Sequence, residues 1–272
     1  MKLNEILLET PKPRTKSMNY KAAEKFIKEN CSEILGVYKK SQVRLWRGVR
    51  SDGEYLFGDS TKRIRKSRNT DNYYTIIMDN SSDWKEYPKR SRSFICTSDS
   101  DRSTSYGTRY LVFPIDGTKI AVCPQSDIWF GWQKALGGHL NSFIGDLNML
   151  ASLYDVRLHS GSNFVEFKKG IDYLGELINK NEQILKRASK YDFTTGESYK
   201  RNIIKNSKNL YAYFEKLLKP VDFKIETTSN YDVDGRHECW FSGEAIFVHW
   251  NPAVDVKMKR GEKAIDAFIR GL

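Results

Sequence analysis

Two carboxylates, Glu238 and Glu244, each stand directly before a short run of bulky residues, 239–241 and 245–248. Both runs are typical of β-strands, and a Ser-Gly pair separates them. A carboxylate at the mouth of a strand is held by backbone and can face a cleft. There it can stabilise the positive charge that develops on a bound sugar. A surface hairpin carrying two solvated acids is the alternative interpretation.

Two upstream segments carry groups that could serve the same site. The run 43–48 predicts a strand that contains Arg47 followed by Gly48, and a glycine lets a ligand phosphate approach the arginine closely. The run 93–98 predicts a strand that ends in Thr97 and Ser98, whose hydroxyls can bond a neighbouring carboxylate or the backbone. The alternatives are a surface arginine and an ordinary turn at a strand end.

The periodicity of the chain predicts an α+β protein, taken as a single domain over 1–272. An amphipathic helix is expected at 18–40, within an N-terminal helical region 1–42, and a helical insert at about 128–220. Strands are expected at 43–46, 73–78, 93–97, 110–115, 119–122 and 221–227, and a short helix within 258–272. Asp116-Gly117 predicts a hairpin between the strands on either side of it.

Composition limits the partners and the location. A formal net charge of +11 and a pI near 9.3 favour polyanionic partners, although a merely basic surface is the alternative. Two basic runs, 62–68 and 89–92, could guide such a partner. The four cysteines and four histidines are scattered, which argues against a structural zinc site and for a reduced, cytoplasmic protein. The sequence contains no apolar stretch long enough for a membrane span, and no signal peptide is expected.

The order of these features resembles the arginine–serine–glutamate branch of the ADP-ribosyltransferase superfamily: an arginine, a hydroxyl-ended strand, then a glutamate on a late strand. The segment 110–122, with its Gly-Thr-Lys turn, is also similar to that family. The resemblance covers roughly 43–125 and 221–250. The whole chain further resembles proteins of unassigned role encoded by tailed bacteriophages.

The resemblance implies a split NAD-binding core of two small antiparallel sheets. It implies that Arg47 contacts the phosphates and ribose of NAD, and that the strand ending Cys96-Thr97-Ser98 orients the catalytic glutamate. Cysteine stands here where the family has serine. Glu238 fits the family's catalytic position best, and Glu244 is the second choice.

Two further positions follow from the resemblance. The residue that engages the acceptor in many members, two before the glutamate, is here Arg236 or, for the second choice, Ser242. An aromatic ring must stack on nicotinamide, and Tyr106, Tyr110 and Trp129 are the candidates. Each of these rings could equally be a core residue.

The function implied is an NAD-dependent ADP-ribosyltransferase. It would cleave the nicotinamide–ribose bond and transfer ADP-ribose to a protein or nucleic acid, with NAD as substrate and no metal. Two alternatives remain open: a non-enzymatic basic nucleic-acid-binding or phage accessory protein, and an NAD glycohydrolase in which water replaces the acceptor.

Overall fold

The structure is a computed structural model that describes residues 15–66, 71–158, 163–188, 193, 196–252, 259 and 262–272. Two compact units are present. The first comprises the described parts of Met1–Ile64, Arg92–Val122 and Lys224–Leu272, and the second comprises those of Arg65–Ser91 and Cys123–Phe223. The expectation of one domain over 1–272 stays a prediction, because the compactness of two parts does not test whether they fold together.

The first unit is built on a sheet of nine strands among the described residues. In chain order they are β1 Thr15–Met18, β2 Trp46–Val49, β3 Tyr55–Asp59, β4 Phe94–Thr97, β5 Thr108–Pro114, β6 Lys119–Val122, β7 Lys224–Thr227, β8 Glu238–Phe241 and β9 Glu244–His249. The order across the sheet is β1-β3-β9-β5-β2-β4-β8-β6-β7, and every described pairing is antiparallel. The α+β class is therefore confirmed.

The sheet narrows to a single residue pair at its centre. In the described part of the chain the backbone ladder between β2 and β4 contains one residue pair, Trp46 with Thr97, whereas β5 and β9 share five pairs. We call this β2–β4 contact the junction. The resemblance implies a split core of two small antiparallel sheets. The described strands form one sheet, in which five strands lie on one side of the junction and four on the other.

Helices of the first unit cover the sheet. They are α1 Tyr20–Asn30, α2 Ser32–Lys40, α4 Ser100–Ser103 and α11 Ala264–Gly271. The predicted helix over 18–40 is broken at Cys31, whose φ of -130° is not helical. Helix α2 is fixed to β5 because the hydroxyl of Tyr38 donates to the carbonyl of Val112 at 2.7 Å and its ring packs edge-on against Phe113.

The second unit is helical throughout its described elements. Its helices are α3 Tyr73–Asn80, α5 Gln133–Leu136, α6 Leu140–Leu153, α7 Phe164–Lys180, α8 Glu182–Arg187, α9 Gly196–Asn206 and α10 Leu210–Leu217. Its aromatic cluster includes Trp84, Trp132 and Phe223, whose rings contact one another at centroid distances of 5.0–5.9 Å. Both indole N–H groups donate to backbone carbonyls, at Leu218 and Lys219.

The strand predicted at 73–78 is wrong, because these residues form helix α3. All six, from Tyr73 to Met78, are buried, so the run shows no polar face by which a helix could be told from a strand. A short apolar run of this kind is ambiguous by periodicity alone.

The hairpin predicted at Asp116-Gly117 is also wrong. Gly117 does turn the chain, with a φ of +74°, but β5 pairs with β2 and β9 while β6 pairs with β7 and β8. The carboxylate of Asp116 instead accepts from the hydroxyl of Ser32 at 2.7 Å and from the backbone N–H of Glu33 at 2.9 Å. The turn therefore caps helix α2 and sends the chain to the other side of the junction.

We expect Asp116→Ala to lower the free energy of unfolding by about 1–2 kcal/mol, because α2 loses a capping acceptor and a favourable charge at its N-terminus. Chemical denaturation followed by circular dichroism measures this change. Asp52→Ala, which removes an exposed carboxylate from another turn of the same unit, is the control and should change stability by less than about 0.5 kcal/mol. Equal effects of the two substitutions would show that Asp116 does not act as a cap.

Candidate functional site

Three of the predicted site residues lie on three neighbouring strands, β2, β4 and β8. Trp46, the residue before Arg47, pairs with Thr97, and Thr97 pairs with Glu238. Arg47, Thr97 and Glu238 therefore lie within one residue of the same level across the junction, although 191 positions separate the first from the last in sequence. Because side chains alternate along a strand, Thr97 and Glu238 share one face of the sheet and Arg47 points to the other. Thr97 and Glu238 are buried, at 6% and 9% exposure.

Arg47 occupies the place where β2 and β4 separate. Its Nη1 donates to the carbonyl of Ile95, and the guanidinium lies 5.5 Å over the ring of Phe94. The side chain thus supplies a donor to a β4 carbonyl beyond the last pair of the ladder. Burial lowers the pKa of Arg47, and the neighbouring Cys96 acts in the opposite direction. The guanidinium remains charged at neutral pH because its ordinary pKa is so high.

Cys96 stands within electrostatic reach of both charged groups of the site. Burial raises the pKa of its thiol to about 12; Arg47, by its charge and a hydrogen bond, lowers it, and the charge of Glu238 raises it. The thiol is therefore protonated at neutral pH. Cys96 pairs with Cys239 across the ladder, whereas Glu238 pairs with Thr97, so side-chain alternation places the thiol on the face of Arg47 and the carboxylate on the other face.

Ser98 fixes the backbone that leads into Glu238. Its hydroxyl donates to the carbonyl of Gly235 at 2.7 Å and accepts from the N–H of His237 at 2.8 Å, while its own N–H donates to the His237 carbonyl at 3.0 Å. Thr97 acts more locally, since its hydroxyl accepts from the N–H of Asp99 at 3.0 Å. Ser98 therefore positions the segment before the glutamate through the backbone.

Arg236 is engaged in an ion pair. Its Nε lies 3.2 Å from a carboxylate oxygen of Asp99, although 78% of the arginine side chain is exposed. Asp99 in turn accepts from the N–H groups of Asp101 and Arg102 at the start of α4. The position that engages the acceptor in many ADP-ribosyltransferases here holds a cation tied to the β4–α4 turn.

Glu244 lies away from this group. It opens β9, opposite Asp59, and two other strands, β5 and β2, stand between β9 and β4. The β9 residue level with Arg47 is His249, through the shared partner Tyr110. Glu244 is five positions from His249, or about 17 Å along the strand. The structure therefore brings Glu238, and not Glu244, to the level of Arg47.

Gly48 does not leave room for a phosphate. A Cβ on this residue would lie 2.2 Å from the carbonyl oxygen of Ser103 and 2.8 Å from the Cβ of Tyr106. The predicted reason for this glycine is wrong. The space that a side chain would occupy is taken by Ser103 and Tyr106. Gly48 is required for that segment to pack on β2.

The three candidate rings have different surroundings. Tyr110 is completely buried, and its hydroxyl donates to the carbonyls of Ser51 and Gly53, so it leaves no open face for nicotinamide. Trp129 belongs to the second unit, where it contacts Tyr74. Tyr106 is 58% exposed and its Cβ approaches Gly48, so it is the more exposed of the two candidate rings of the first unit.

The basic runs are only partly described. In 62–68 the last two positions lie outside the described residues, and Lys62 lies 3.2 Å from Asp59. In 89–92 the guanidinium of Arg90 is 98% buried and lies 5.8 Å over Tyr74, so it is not part of a solvated face. Within the described ranges, no cluster of three or more His, Cys, Asp or Glu side chains is suited to hold a metal ion.

Sequence reasoning missed Arg109 and Trp250. The guanidinium of Arg109 lies 4.9 Å over the Trp250 ring and 5.6 Å over the Trp46 ring. No local pattern marks these residues, because Trp46 and Trp250 are more than two hundred positions apart and meet only through strand pairing.

None of the helices in the described part of the chain combines the length and the apolar character required to cross a bilayer.

Comparisons with protein-family models, with curated proteins and with solved structures found no match to this chain. The case for a function therefore depends on the residues and their geometry.

Burial of Cys96 makes stability depend on alkaline pH. Between its ordinary pKa of 9.0 and its folded pKa of about 12 the unfolded thiol has lost its proton and the folded one has not. The free energy of unfolding therefore falls as pH rises through this window, by on the order of 1 kcal/mol per pH unit for this group. Cys96→Ser should show a shallower fall, measured by urea denaturation at pH 8 to 11. If stability fell equally steeply with pH in the wild-type protein and in Cys96→Ser, the raised pKa of Cys96 would be contradicted.

Proposed function

We propose that this chain is an NAD-dependent ADP-ribosyltransferase with an ADP-ribosyltransferase-like fold. It cleaves the bond between nicotinamide and ribose and transfers ADP-ribose to a macromolecular acceptor. The observation that carries the proposal is that Arg47, Cys96 and Glu238 lie on three adjacent strands at the junction, with the Cys96 thiol within electrostatic reach of both charges. This is the order of groups that the family resemblance implies.

The chemistry needs two charges of opposite sign. When the nicotinamide–ribose bond breaks, its electron pair leaves with nicotinamide, and the ribose carbon becomes cationic. A nucleophile of the acceptor then forms the new bond to that carbon and gives up its proton. Arg47 would bind the pyrophosphate, and Glu238 would stabilise the ribose cation and bind a ribose hydroxyl.

The surroundings of both groups support these roles. Glu238 is 9% exposed and Arg47 is partly buried, so their fields are screened less than those of surface charges. Ser98 holds the segment before Glu238 by three hydrogen bonds, which reduces the freedom of the carboxylate. Preorganised charges of this kind stabilise a transition state without having to reorient during the reaction.

Expression in the cytoplasm, where the four buried cysteines stay reduced, is the setting that this proposal expects. Tyr106 is the proposed ring for nicotinamide, because it is the candidate of the first unit with an exposed face.

We expect Glu238→Gln to lower kcat for NAD cleavage by about 100-fold or more, because the amide keeps the shape of the side chain but not its charge. Nicotinamide release from purified protein measures the rate. Glu244→Gln is the matched control and should retain activity, since Glu244 opens a strand distant from the junction. Equal loss in both variants, or no turnover by the wild-type protein under any acceptor condition, would refute the assignment of Glu238.

Cys96→Ser is expected to retain or increase NAD cleavage by up to about tenfold. A hydroxyl forms stronger hydrogen bonds than a thiol and would hold the neighbouring Arg47 better. Cys96→Ala, which removes the hydrogen-bonding group, should be slower than Cys96→Ser in the same assay. Higher activity of the alanine variant would show that the side chain at 96 does not position Arg47.

The ion pair of Arg236 with Asp99 favours NAD hydrolysis as a second candidate reaction. A cation at this position cannot act as the acid or amide that engages the acceptor in many members of the family. Radiolabelled NAD distinguishes the two reactions, because hydrolysis releases free ADP-ribose and transfer leaves the label on a macromolecule.

A further inference from the structure

Two large aromatic side chains are exposed at one end of the central strands of the first unit. Trp250 follows β9 and is 43% exposed, and Tyr106 follows α4 and is 58% exposed. Both approach the same residue pair of the sheet, Gly48 with Arg109. Tyr106 lies over Gly48, and Trp250 lies against the Arg109 guanidinium.

Arg109 is held between two indole rings. Its guanidinium is 4.9 Å from the centroid of Trp250 and 5.6 Å from that of Trp46, which is 9% exposed. Only 23% of the arginine side chain is exposed, and Nη1 lies 3.5 Å from an oxygen of Asp101, whose side chain is 88% exposed. The rings fix the position of the cation, while its contact to Asp101 is long and satisfies little of its capacity to donate.

The charges around these rings are mixed but lean positive. Arg50, next to the end of β2, is exposed, and Arg102 is partly exposed. Asp101 and the exposed Asp52 oppose them. The whole chain carries +11. We call the group of Arg50, Tyr106, Arg109 and Trp250 the aromatic–arginine surface.

Exposed rings next to fixed arginines match one class of polymer. Bases of single-stranded nucleic acid stack on aromatic side chains, and the backbone phosphates pair with arginine. A duplex hides its base faces, and an acidic peptide has no flat rings in its charged side chains. We propose that the aromatic–arginine surface binds single-stranded nucleic acid, with bases on Trp250 and Tyr106 and phosphates at Arg109 and Arg50. This inference does not depend on the proposed NAD chemistry.

The test is fluorescence anisotropy with labelled 12-nucleotide oligo(dT) and oligo(U), without NAD. We expect the wild-type protein to bind these strands and to bind a duplex of equal length at least about tenfold more weakly. Trp250→Ala and Tyr106→Ala should each weaken single-strand binding about five- to 100-fold. Tyr173→Ala, which removes a ring that is 52% exposed in the second unit, is the matched control and should bind as the wild-type protein does.

A second measurement separates stacking from charge. Arg50→Ala should reduce the dependence of affinity on salt, because a phosphate contact is lost, while Tyr106→Ala should leave that dependence unchanged. Circular dichroism of each variant checks that it is folded. If Trp250→Ala does not fold, the result for Tyr106→Ala decides the test. Equal binding of duplex and single strands, equal binding of polyglutamate, or wild-type affinity in Tyr106→Ala would each overturn the proposal.

Discussion

The junction between β2 and β4 is the contact on which the rest of the first unit depends. A nine-stranded antiparallel sheet is held at its centre by one residue pair, Trp46 with Thr97. Beyond that pair the guanidinium of Arg47 bonds the Ile95 carbonyl and covers the Phe94 ring. A side-chain hydrogen bond thus replaces the backbone hydrogen bonds of the ladder. If backbone pairing continued along both strands, these carbonyls would accept from backbone N–H groups. The arginine would then stand on a flat face of the sheet.

The separation of β2 from β4 also determines which charged groups are buried. Charged groups in a continuous sheet would be either on the solvated face or expelled from the core, since an unpaired buried charge is costly. At the junction Arg47 and Glu238 are both removed from water, and the Cys96 thiol between their fields keeps its proton. Both charged groups therefore lie where the backbone ladder between β2 and β4 is shortest.

The chain reaches this arrangement by long connections. The Asp116-Gly117 turn directs successive strands to opposite sides of the junction, because its carboxylate caps α2 and so fixes where β5 must end. The second unit comes from two insertions, Arg65–Ser91 between β3 and β4 and Cys123–Phe223 between β6 and β7. Contacts of this kind are non-local, and their chain-entropy cost is recovered only when the whole core is packed.

Local sequence determined the class and many of the elements. Strands β4, β6 and β8, the helical character of 128–218 and the helical character of 20–40, though not its break at Cys31, follow from residue type and periodicity, because side-chain spacing reflects which face is buried. The identity of Arg47 and Glu238 as candidates also came from sequence order. A buried run such as 73–78 could not be assigned, since a helix buried on all sides has no polar period.

Tertiary structure alone decided the rest. It placed Glu238, rather than Glu244, within one residue of the level of Arg47 through the strand order. It also gave Gly48 its role through the approach of Ser103, and placed Arg109 between Trp46 and Trp250. Each of these facts depends on which strand lies beside which. Strand neighbours are set by the packing of distant segments, and no period of two or of 3.6 residues within a segment records its partner.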